Sequence, residues 1–244
     1  MDDSLRRTIR EYYANPEYIQ AAVGHAVASR QKRLPILAEY LEPNGLAIEI
    51  GCGAGVYSDL TKQYVGLDIS LEALRELKAK GRWAVCCDVA KMPIKDGVAT
   101  TVLSFDTLEH VYEPQEVLEE VARVLKPGGS AILRDVWLKA EKHTGRLPYK
   151  LRKKLGKLTA CVPRLWRVLR GDDRVAWSRI TPDYTQIGND HDAVSRIDAH
   201  SVYRFFRRRG FESLNERSNP VMRLLNPWMR HRNWVVVEKR RTTD

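Results

Sequence analysis

A glycine-rich turn placed directly after a short apolar run constrains the fold of this chain more than any other feature. The run Leu46–Ile50 has the length and character of a buried strand, and the overlapping turn Glu49–Gly55 carries three glycines. Glycines let the backbone turn tightly and approach a ligand at positions where any Cβ atom would clash. We therefore expect an adenosine-containing ligand over the carboxyl ends of the strands, where the strand order of a doubly wound sheet switches.

Strand and helix patterns alternate on both sides of this turn. Further strands are predicted at 65–69, 83–87, 100–105, 130–136, 211–216 and 234–239, and helices at 5–41, 55–64, 70–81, 114–125 and 199–209. Such alternation predicts an α/β fold with a parallel, doubly wound sheet. The last two strands are joined by a segment without a clear crossover helix, so we expect them to be antiparallel neighbours.

The excess positive charge of the chain lies in one segment. The formal net charge is +10, and residues 139–179 alone carry 13 basic and three acidic side chains. A charge concentrated in this way indicates a local anionic partner, because a generally basic protein would spread it along the sequence.

Neither a membrane span nor a secretory signal is predicted, since the chain contains no apolar run of about 18 residues and its start lacks an apolar core. Three of the four cysteines, Cys52, Cys86 and Cys87, fall in predicted strand or turn positions and are expected to be buried, reduced residues. The cysteines show no metal-ligand spacing, so no metal site is predicted, and a cytoplasmic setting is expected.

Four further motifs make the glycine turn specific. They are the segments 65–70 (VGLDIS), 87–93 (CDVAKMP), 105–111 (FDTLEHV) and 125–129 (LKPGG), in that order. Together with the turn they resemble the class I S-adenosylmethionine (SAM)-dependent methyltransferases, and more narrowly the methyltransferase type 11 group. The resemblance covers residues 46–136 and the closing strands, and it implies a seven-stranded, mostly parallel sheet whose last strand is antiparallel.

The resemblance also implies that the chain binds SAM and releases S-adenosylhomocysteine (SAH). The cofactor-binding residues it implies are Glu49, Gly51, Cys52, Gly53, Gly55, Asp68, Ile69, Asp88, Val89, Asp106 and Thr107. Gly51, Gly53 and Gly55 would border the methionine and ribose moieties, and Asp68 would bind the ribose hydroxyls. Asp88 and Val89 would contact adenine, Asp106 would lie near the methionine amino group, and Glu49 would hold the turn or reach that amine through water. Structural roles as a turn or cap residue stay open for Asp88 and Glu49.

Methyl transfer needs alignment above all, and it needs a base only where the acceptor must lose a proton. His110 follows the fourth strand and is one candidate base, although the histidine of this motif also packs near the cofactor in similar proteins. His191, oriented by Asp190 or Asp192, is the other candidate, against the alternative of a solvated turn at 189–192. A metal site there lacks fixed ligand geometry and is not expected.

The domain division that follows is a single methyltransferase domain. Residues 1–44 form N-terminal helices, 45–137 the cofactor-binding core, 138–198 a basic helical insertion and 199–244 the closing helix and strands. In similar enzymes the N-terminal helices form a lid. Its side chains Tyr12, Tyr13 and Arg33 are candidates to contact the methionine end of the cofactor, although core packing for the tyrosines and a solvated position for the arginine are favoured.

Three interpretations of the basic segment 139–179 stay open. Its leucines at 151, 155 and 158 follow helical spacing, so it could be a lid over the acceptor, an interfacial helix pair on anionic lipid with Trp166 at the headgroups, or an RNA contact. Sparse aromatic residues make nucleic acid the weaker reading. The favoured acceptor is a small molecule, a saccharide or a lipid-linked intermediate, methylated at oxygen by a cytoplasmic enzyme that contacts the membrane peripherally. The alternatives are an RNA or protein acceptor, or a non-catalytic SAM-binding module.

Overall fold

The computed structural model describes residues 3–134, 174–187, 191–214 and 234–241. The helices are α1 (Asp3–Ala14), α2 (Pro16–Tyr40), α3 (Leu71–Ala79), α4 (Pro114–Val124) and α5 (Ala199–Arg208), with one 3₁₀ turn at Leu108–His110. The strands are β1 (Leu46–Ile50), β2 (Gln63–Asp68), β3 (Trp83–Cys86), β4 (Ala99–Ser104), β5 (Leu125–Leu133), β6 (Trp177–Arg179), β7 (Ser195–Ile197), β8 (Phe211–Ser213) and β9 (Val235–Lys239).

The central sheet has seven strands in the order β3-β2-β1-β4-β5-β9-β8. Neighbours from β3 to β5 are parallel, whereas β9 runs antiparallel to both β5 and β8. The strand order reverses beside β1, because β2 and β4 flank it on opposite sides. This arrangement confirms the predicted doubly wound fold, with its antiparallel last strand and antiparallel closing pair.

The helices pack by apolar faces whose spacing is visible in the sequence. In α4, Pro114 occupies the first turn, where its missing N–H costs nothing, and Val117, Leu118 and Val121 are fully buried. Helix α3 begins at Ser70, whose hydroxyl accepts a hydrogen bond from the Ala73 backbone N–H. Pro16 starts α2. Pro35, by contrast, lies inside that helix and does not break it.

The predicted helix at 55–64 is wrong. Residues 51–60 form consecutive turns closed by short-range bonds, such as Ser58 N–H to Gly55 O at 3.3 Å and Leu60 N–H to Tyr57 O at 3.1 Å. Gly55 has φ +68°, a left-handed conformation that interrupts helical geometry, and β2 begins already at Gln63. The tight turn therefore leads to β2 without an intervening helix in this stretch.

The cysteine prediction holds only for Cys52, which is buried. Cys86 is exposed and Cys87 is half-buried, because β3 is an edge strand of the sheet. Among the residues that the structure describes, no cluster of three or more histidine, cysteine or acidic side chains could hold a metal ion. None of the described helices combines the length and hydropathy that a membrane crossing requires.

Only the end of the predicted insertion falls within the described residues. There β6 and β7 form a two-stranded antiparallel pair, so this part is extended and not helical. Most of the basic segment, including the predicted helices and Trp166, lies outside the described residues. The segment 191–198 packs back on the sheet end, since Val194 N–H donates to Glu109 O at 2.8 Å and the Ser195 hydroxyl donates to Leu108 O at 3.1 Å.

Candidate active site

The glycine turn after β1 adopts the conformation that its sequence predicts. Gly51 and Gly53 have φ +62° and +50°, which side-chain-bearing residues rarely adopt. A Cβ atom on Gly51 would lie 2.2 Å from the Thr107 hydroxyl oxygen, whereas a Cβ atom on Gly53 would meet nothing within 4 Å. Gly51 is thus required by packing against Thr107, and Gly53 presents bare backbone to open space.

Asp68, at the end of β2, holds this turn with its carboxylate. One oxygen accepts from Gly53 N–H at 2.7 Å and the other from Ser70 N–H at 2.8 Å. Burial raises the pKa of Asp68, and the hydrogen bonds from Ser70, Gly53 and Ile69 oppose that shift. The carboxylate therefore preorganises the loop and stands at the carboxyl end of its strand.

A cavity of about 830 Å³ opens over the carboxyl ends of the parallel strands. The volume lies within the range of small-molecule and cofactor sites. The cavity lining includes ten of the predicted cofactor residues, namely Glu49, Gly51, Cys52, Gly53, Asp68, Ile69, Asp88, Val89, Asp106 and Thr107. The geometry of these residues therefore fits SAM. Gly53, which has no side chain, faces open space, and acidic side chains lie at the carboxyl ends of successive strands.

Gly55 is the predicted cofactor residue that the structure places elsewhere. It is absent from the cavity lining, and a Cβ atom on it would lie 2.4 Å from Leu77 Cδ1 of α3. Its positive φ and this close approach serve the packing of α3 on the turn. The prediction that Gly55 borders the cofactor is therefore corrected.

Glu49 is buried beneath the turn and takes a hydrogen bond from the Tyr64 hydroxyl. Burial raises the pKa of Glu49 to about 8, although the Tyr64 hydrogen bond and the charge of Arg33 act in the opposite direction. Glu49 lines the cavity as well. A carboxyl that stays protonated in the free protein near neutral pH can ionise when a cationic ligand group arrives beside it.

Asp106 follows β4 and is clamped by two arginines. It has φ +53°, and its carboxylate pairs with Arg33 of α2 and with Arg134 directly after β5. The His25 imidazole lies 3.4 Å away from the same carboxylate. Arg33 is only 2% exposed, which corrects the solvated position favoured for it.

The sequence interpretation missed Arg134, although a signal existed. Parallel strands end at the same edge of a sheet, so a charged residue directly after β5 is expected near Asp106, which follows the neighbouring β4. Arg33 and Arg134 both line the cavity. Two guanidinium groups beside the predicted methionine end are suited to a ligand carboxylate.

His110 is paired with Asp192 at the other end of the same cavity. The His110 Nδ1 atom lies 3.1 Å from Asp192 Oδ2, and the Tyr13 hydroxyl donates to that same oxygen at 3.0 Å. Burial alone lowers the pKa of His110, but the carboxylates of Asp192 and then Glu109 outweigh it and raise the pKa to about 9. Burial likewise acts to raise the pKa of Asp192, and its partners His110 and Tyr13 hold it below the usual range.

The predicted pairing of His191 with Asp192 is not the one the structure shows. The Asp192 carboxylate is occupied by His110 and Tyr13, and His191 is absent from the cavity lining. The backbone carbonyl of His191 accepts from Asp183 N–H at 2.7 Å. Asp190 lies outside the described residues.

Tyr12 and Tyr13 of α1 both have partners in segments that follow the sheet core. Tyr12 is buried and donates to Gln186 O at 2.9 Å, as its predicted core role requires. Tyr13 instead lies beside His110, with ring centroids 6.5 Å apart. We call the part of the cavity lined by the turn and the strand ends the cofactor side, and the part lined by α1, the 3₁₀ turn and Asp192 the acceptor side.

Comparison with known proteins shows a resemblance over part of the chain. Residues 48–133 match a family model described as a methyltransferase domain. An uncharacterized protein, MJ0638, of Methanocaldococcus jannaschii is 33% identical over 122 residues, covering 48% of this chain and 53% of the relative. The tRNA (carboxymethyluridine(34)-5-O)-methyltransferase ALKBH8 of Macaca fascicularis is 28% identical over 143 residues, covering 55% of this chain and 21% of the relative.

A ubiquinone biosynthesis O-methyltransferase of Xanthomonas oryzae is 30% identical over 113 residues, covering 41% of this chain and 47% of that enzyme. Among solved structures, a SAM-dependent methyltransferase of Thermotoga maritima superposes with a TM-score of 0.54 at 17% identity, covering 94% of this chain and 97% of the other. This likeness shows a shared fold. The chain spans about half, or less, of the length of these curated relatives.

Proposed function

We propose that this chain transfers a methyl group from SAM to an oxygen atom of an acceptor, because residues 48–133 match a family model described as a methyltransferase domain. The acceptor sits on the acceptor side of the cavity, next to His110. The favoured class is a small molecule, a saccharide or a lipid-linked intermediate.

One observation carries this proposal. A single cavity runs from the glycine turn and Asp68 to the His110–Asp192 pair, so donor and acceptor can occupy one continuous space. The main task of such an enzyme is to align the nucleophile with the methyl group. A shared cavity that binds the donor on one side and the acceptor on the other achieves this alignment.

Bound SAM supplies an activated methyl group. Asp68 holds the turn that receives the nucleoside part, and the arginine pair at Asp106 stands ready for the carboxylate of the methionine part. His110 receives the acceptor proton on Nε2, since Nδ1 faces Asp192. Asp192 stabilises the imidazolium that forms, and the Tyr13 hydroxyl keeps Asp192 in position.

An RNA acceptor is the second candidate. Its support is the name of the ALKBH8 relative, a tRNA methyltransferase, and the positive charge of residues 139–179. Three carboxylates, Glu109, Glu113 and Glu116, line the cavity and oppose the approach of a phosphate backbone. They are the reason for ranking RNA second. We further propose a cytoplasmic setting with peripheral contact to anionic lipid through the basic segment.

Isothermal calorimetry with SAM and SAH tests the donor half of the proposal. We expect both to bind, and we expect Asp68→Asn to weaken them roughly 10- to 100-fold, because a charged hydrogen bond to the turn is lost. Asp59→Asn is the matched control, since Asp59 is exposed and pairs with Arg30 away from the cavity. Wild-type protein that binds neither ligand would refute the proposal.

Binding to anionic liposomes and to tRNA at several salt concentrations tests the acceptor ranking. If binding to tRNA falls steeply with salt and liposomes are not bound, RNA would be favoured over a small molecule as the acceptor. Binding of SAM without any methyl transfer to fractionated cell extract, followed with [methyl-³H]SAM, would favour a non-catalytic SAM-binding module.

A further inference from the structure

The acceptor side of the cavity is walled by a cluster of tyrosines, here called the tyrosine cluster: Tyr12, Tyr13, Tyr18 and Tyr184. The Tyr13 and Tyr18 rings lie edge to face at 5.0 Å, and Tyr12 supports them at 5.3 Å and 4.8 Å. Tyr184 adds a further ring 5.2 Å from Tyr12. Two segments far apart in sequence, residues 12–18 and the segment of Tyr184, thus supply one aromatic wall.

Three tyrosines on the acceptor side face the cavity itself: Tyr13, Tyr18 and Tyr112. Burial raises the pKa of Tyr13 and of Tyr18 well above the ordinary value, so both stay neutral hydroxyls. The Tyr112 hydroxyl lies 3.2 Å from that of Tyr184 and is held by it. The wall therefore offers fixed, uncharged aromatic rings, which prefer another ring in edge-to-face or offset contact.

The charges around this wall disfavour a polyanionic acceptor. Glu109, Glu113 and Glu116 line the same cavity, and the guanidinium of Arg179 lies 3.4 Å from Glu113, which partly offsets its charge. Flat aromatic surface, acidic surroundings and a paired histidine together suit a neutral aromatic ring that carries an ionisable hydroxyl.

The next step rests on the methyl transfer proposed above. We propose that the acceptor is a phenol whose ring packs on Tyr13, Tyr18 and Tyr112 and whose hydroxyl contacts His110. The phenol O–H proton passes to His110 Nε2, the oxygen forms a bond to the methyl carbon, and the carbon–sulfur bond breaks. The products are an aryl methyl ether, SAH and an imidazolium, which releases its proton to solvent.

The basicity of His110 supports this acceptor class. Proton transfer is most effective between groups of similar pKa, and the pKa of His110, at about 9, is close to the value of about 10 for a phenol. An aliphatic hydroxyl is far less acidic and would be poorly matched to the same base.

Calorimetry on the SAH-saturated protein tests the proposal with catechol as the probe. Cyclohexane-1,2-diol is its non-aromatic counterpart, and methyl α-glucopyranoside represents saccharides. We expect saturable binding of catechol, at least about 10-fold tighter than binding of either comparison compound, and transfer of [methyl-³H] from SAM to catechol.

Two variants tie this binding to the wall. Tyr18→Leu and Tyr112→Leu should each weaken catechol at least about 5-fold, and in Tyr112→Leu SAH affinity should stay within about 2-fold of the wild type. Trp83→Leu, which removes a 78% exposed ring on β3 outside the cavity, should change neither. Tyr112 lies on a different segment of the chain from Tyr18, so it tests the wall even where Tyr18→Leu fails to fold.

The outcomes separate the two proposals. If SAH binds but catechol does not, or binds no better than cyclohexane-1,2-diol, the phenol assignment is overturned and SAM-dependent transfer to another acceptor stands. Equal loss of catechol binding in Trp83→Leu would also overturn it. If neither SAM nor SAH binds, the methyl-transfer proposal fails, and the phenol assignment fails with it.

Discussion

His110 and Asp192 join two segments that are 82 positions apart: Nδ1 of the imidazole lies 3.1 Å from Oδ2 of the carboxylate. The Tyr13 hydroxyl on the same oxygen brings α1 into this junction. The arrangement gives the histidine one ring nitrogen held by an acid and leaves the other for a ligand. It also sets the pH at which the histidine can accept a proton.

We predict that the methyl-transfer rate of the wild type rises with pH and levels off above about 9. His110 must be neutral to act as a base, and with a pKa of about 9 roughly one molecule in a hundred is neutral at pH 7. In Asp192→Asn the carboxylate is gone while burial still lowers the pKa of His110, so the rising limb moves to lower pH. The plateau rate falls about 10- to 100-fold because orientation is lost.

The measurement is kcat/KM across pH 6 to 10 with catechol or an identified acceptor. Asp183→Asn is the control, since Asp183 is a half-buried carboxylate outside the cavity lining that bonds Thr185 and Gln186. We expect the control to follow the wild-type curve. A rising limb that stays in place in Asp192→Asn would remove Asp192 from this role.

The sequence predicted the cofactor side of the site far better than the acceptor side. The glycine turn, Asp68 and Asp88 belong to strand ends, and strand ends in a parallel sheet are brought together by the fold itself. The partner of Asp192 depends instead on how α1 and residues 191–198 pack against the 3₁₀ turn. Nothing in local periodicity encodes that packing, so the sequence analysis paired Asp192 with its neighbour His191 and missed the pairing of Asp192 with His110.

The burial of a charged side chain was the other feature that the local sequence pattern could not predict. Arg33 lies on a helix with mixed polarity, and a solvated position is the usual expectation for an arginine. It is buried because Asp106, after β4, stands opposite it. Gly55 illustrates a related limit. The sequence correctly indicated that a glycine is required at this position, but the requirement comes from close packing on Leu77 and not from a ligand.

Two substitutions in the glycine turn should have opposite consequences. Gly51→Ala should lower the free energy of unfolding by about 2–5 kcal/mol, because a positive φ and a clash with Thr107 act together. Gly53→Ala should cost only about 1–2 kcal/mol, because its φ is unfavourable but its Cβ meets open space. That Cβ enters the cavity, so SAM affinity should fall at least about 10-fold.

Urea denaturation and SAM calorimetry measure the two effects. Gly81→Ala is the matched control, since Gly81 also has a positive φ, +73°, with nothing within 4 Å of a Cβ, yet lies outside the cavity lining. For Gly81→Ala we expect the same loss of stability as for Gly53→Ala, but no loss of SAM affinity. Unchanged SAM binding in Gly53→Ala would show that the cofactor does not approach this backbone.

Two arginines one turn apart on α2 should contribute very differently to stability. Arg33→Ala should lower the free energy of unfolding by about 3 kcal/mol, because Asp106 loses a buried partner and Phe105 loses a guanidinium 5.2 Å from its ring. Arg30→Ala should cost under about 1 kcal/mol, since its partner Asp59 is 65% exposed. Urea denaturation of both variants at one pH makes the comparison, and equal losses would contradict a buried role for Arg33.

Glu49→Gln should stabilise the protein without cofactor, and increasingly so as pH rises from about 5 to 8. In the unfolded chain Glu49 ionises near its ordinary pKa of 4.5, whereas burial raises the pKa to about 8 in the folded state. Between these values the folded protein holds one more proton than the unfolded chain, so stability falls as pH increases and levels off above about 8. Glutamine keeps the shape and an acceptor for the Tyr64 hydroxyl, and it has no proton to lose.

The difference in unfolding free energy between variant and wild type, measured by urea denaturation at pH 5.5, 7 and 8.5, should therefore grow with pH. A difference that is constant across this range would mean that Glu49 is already ionised in the folded protein at pH 5.5, with Arg33 and Tyr64 outweighing the effect of burial.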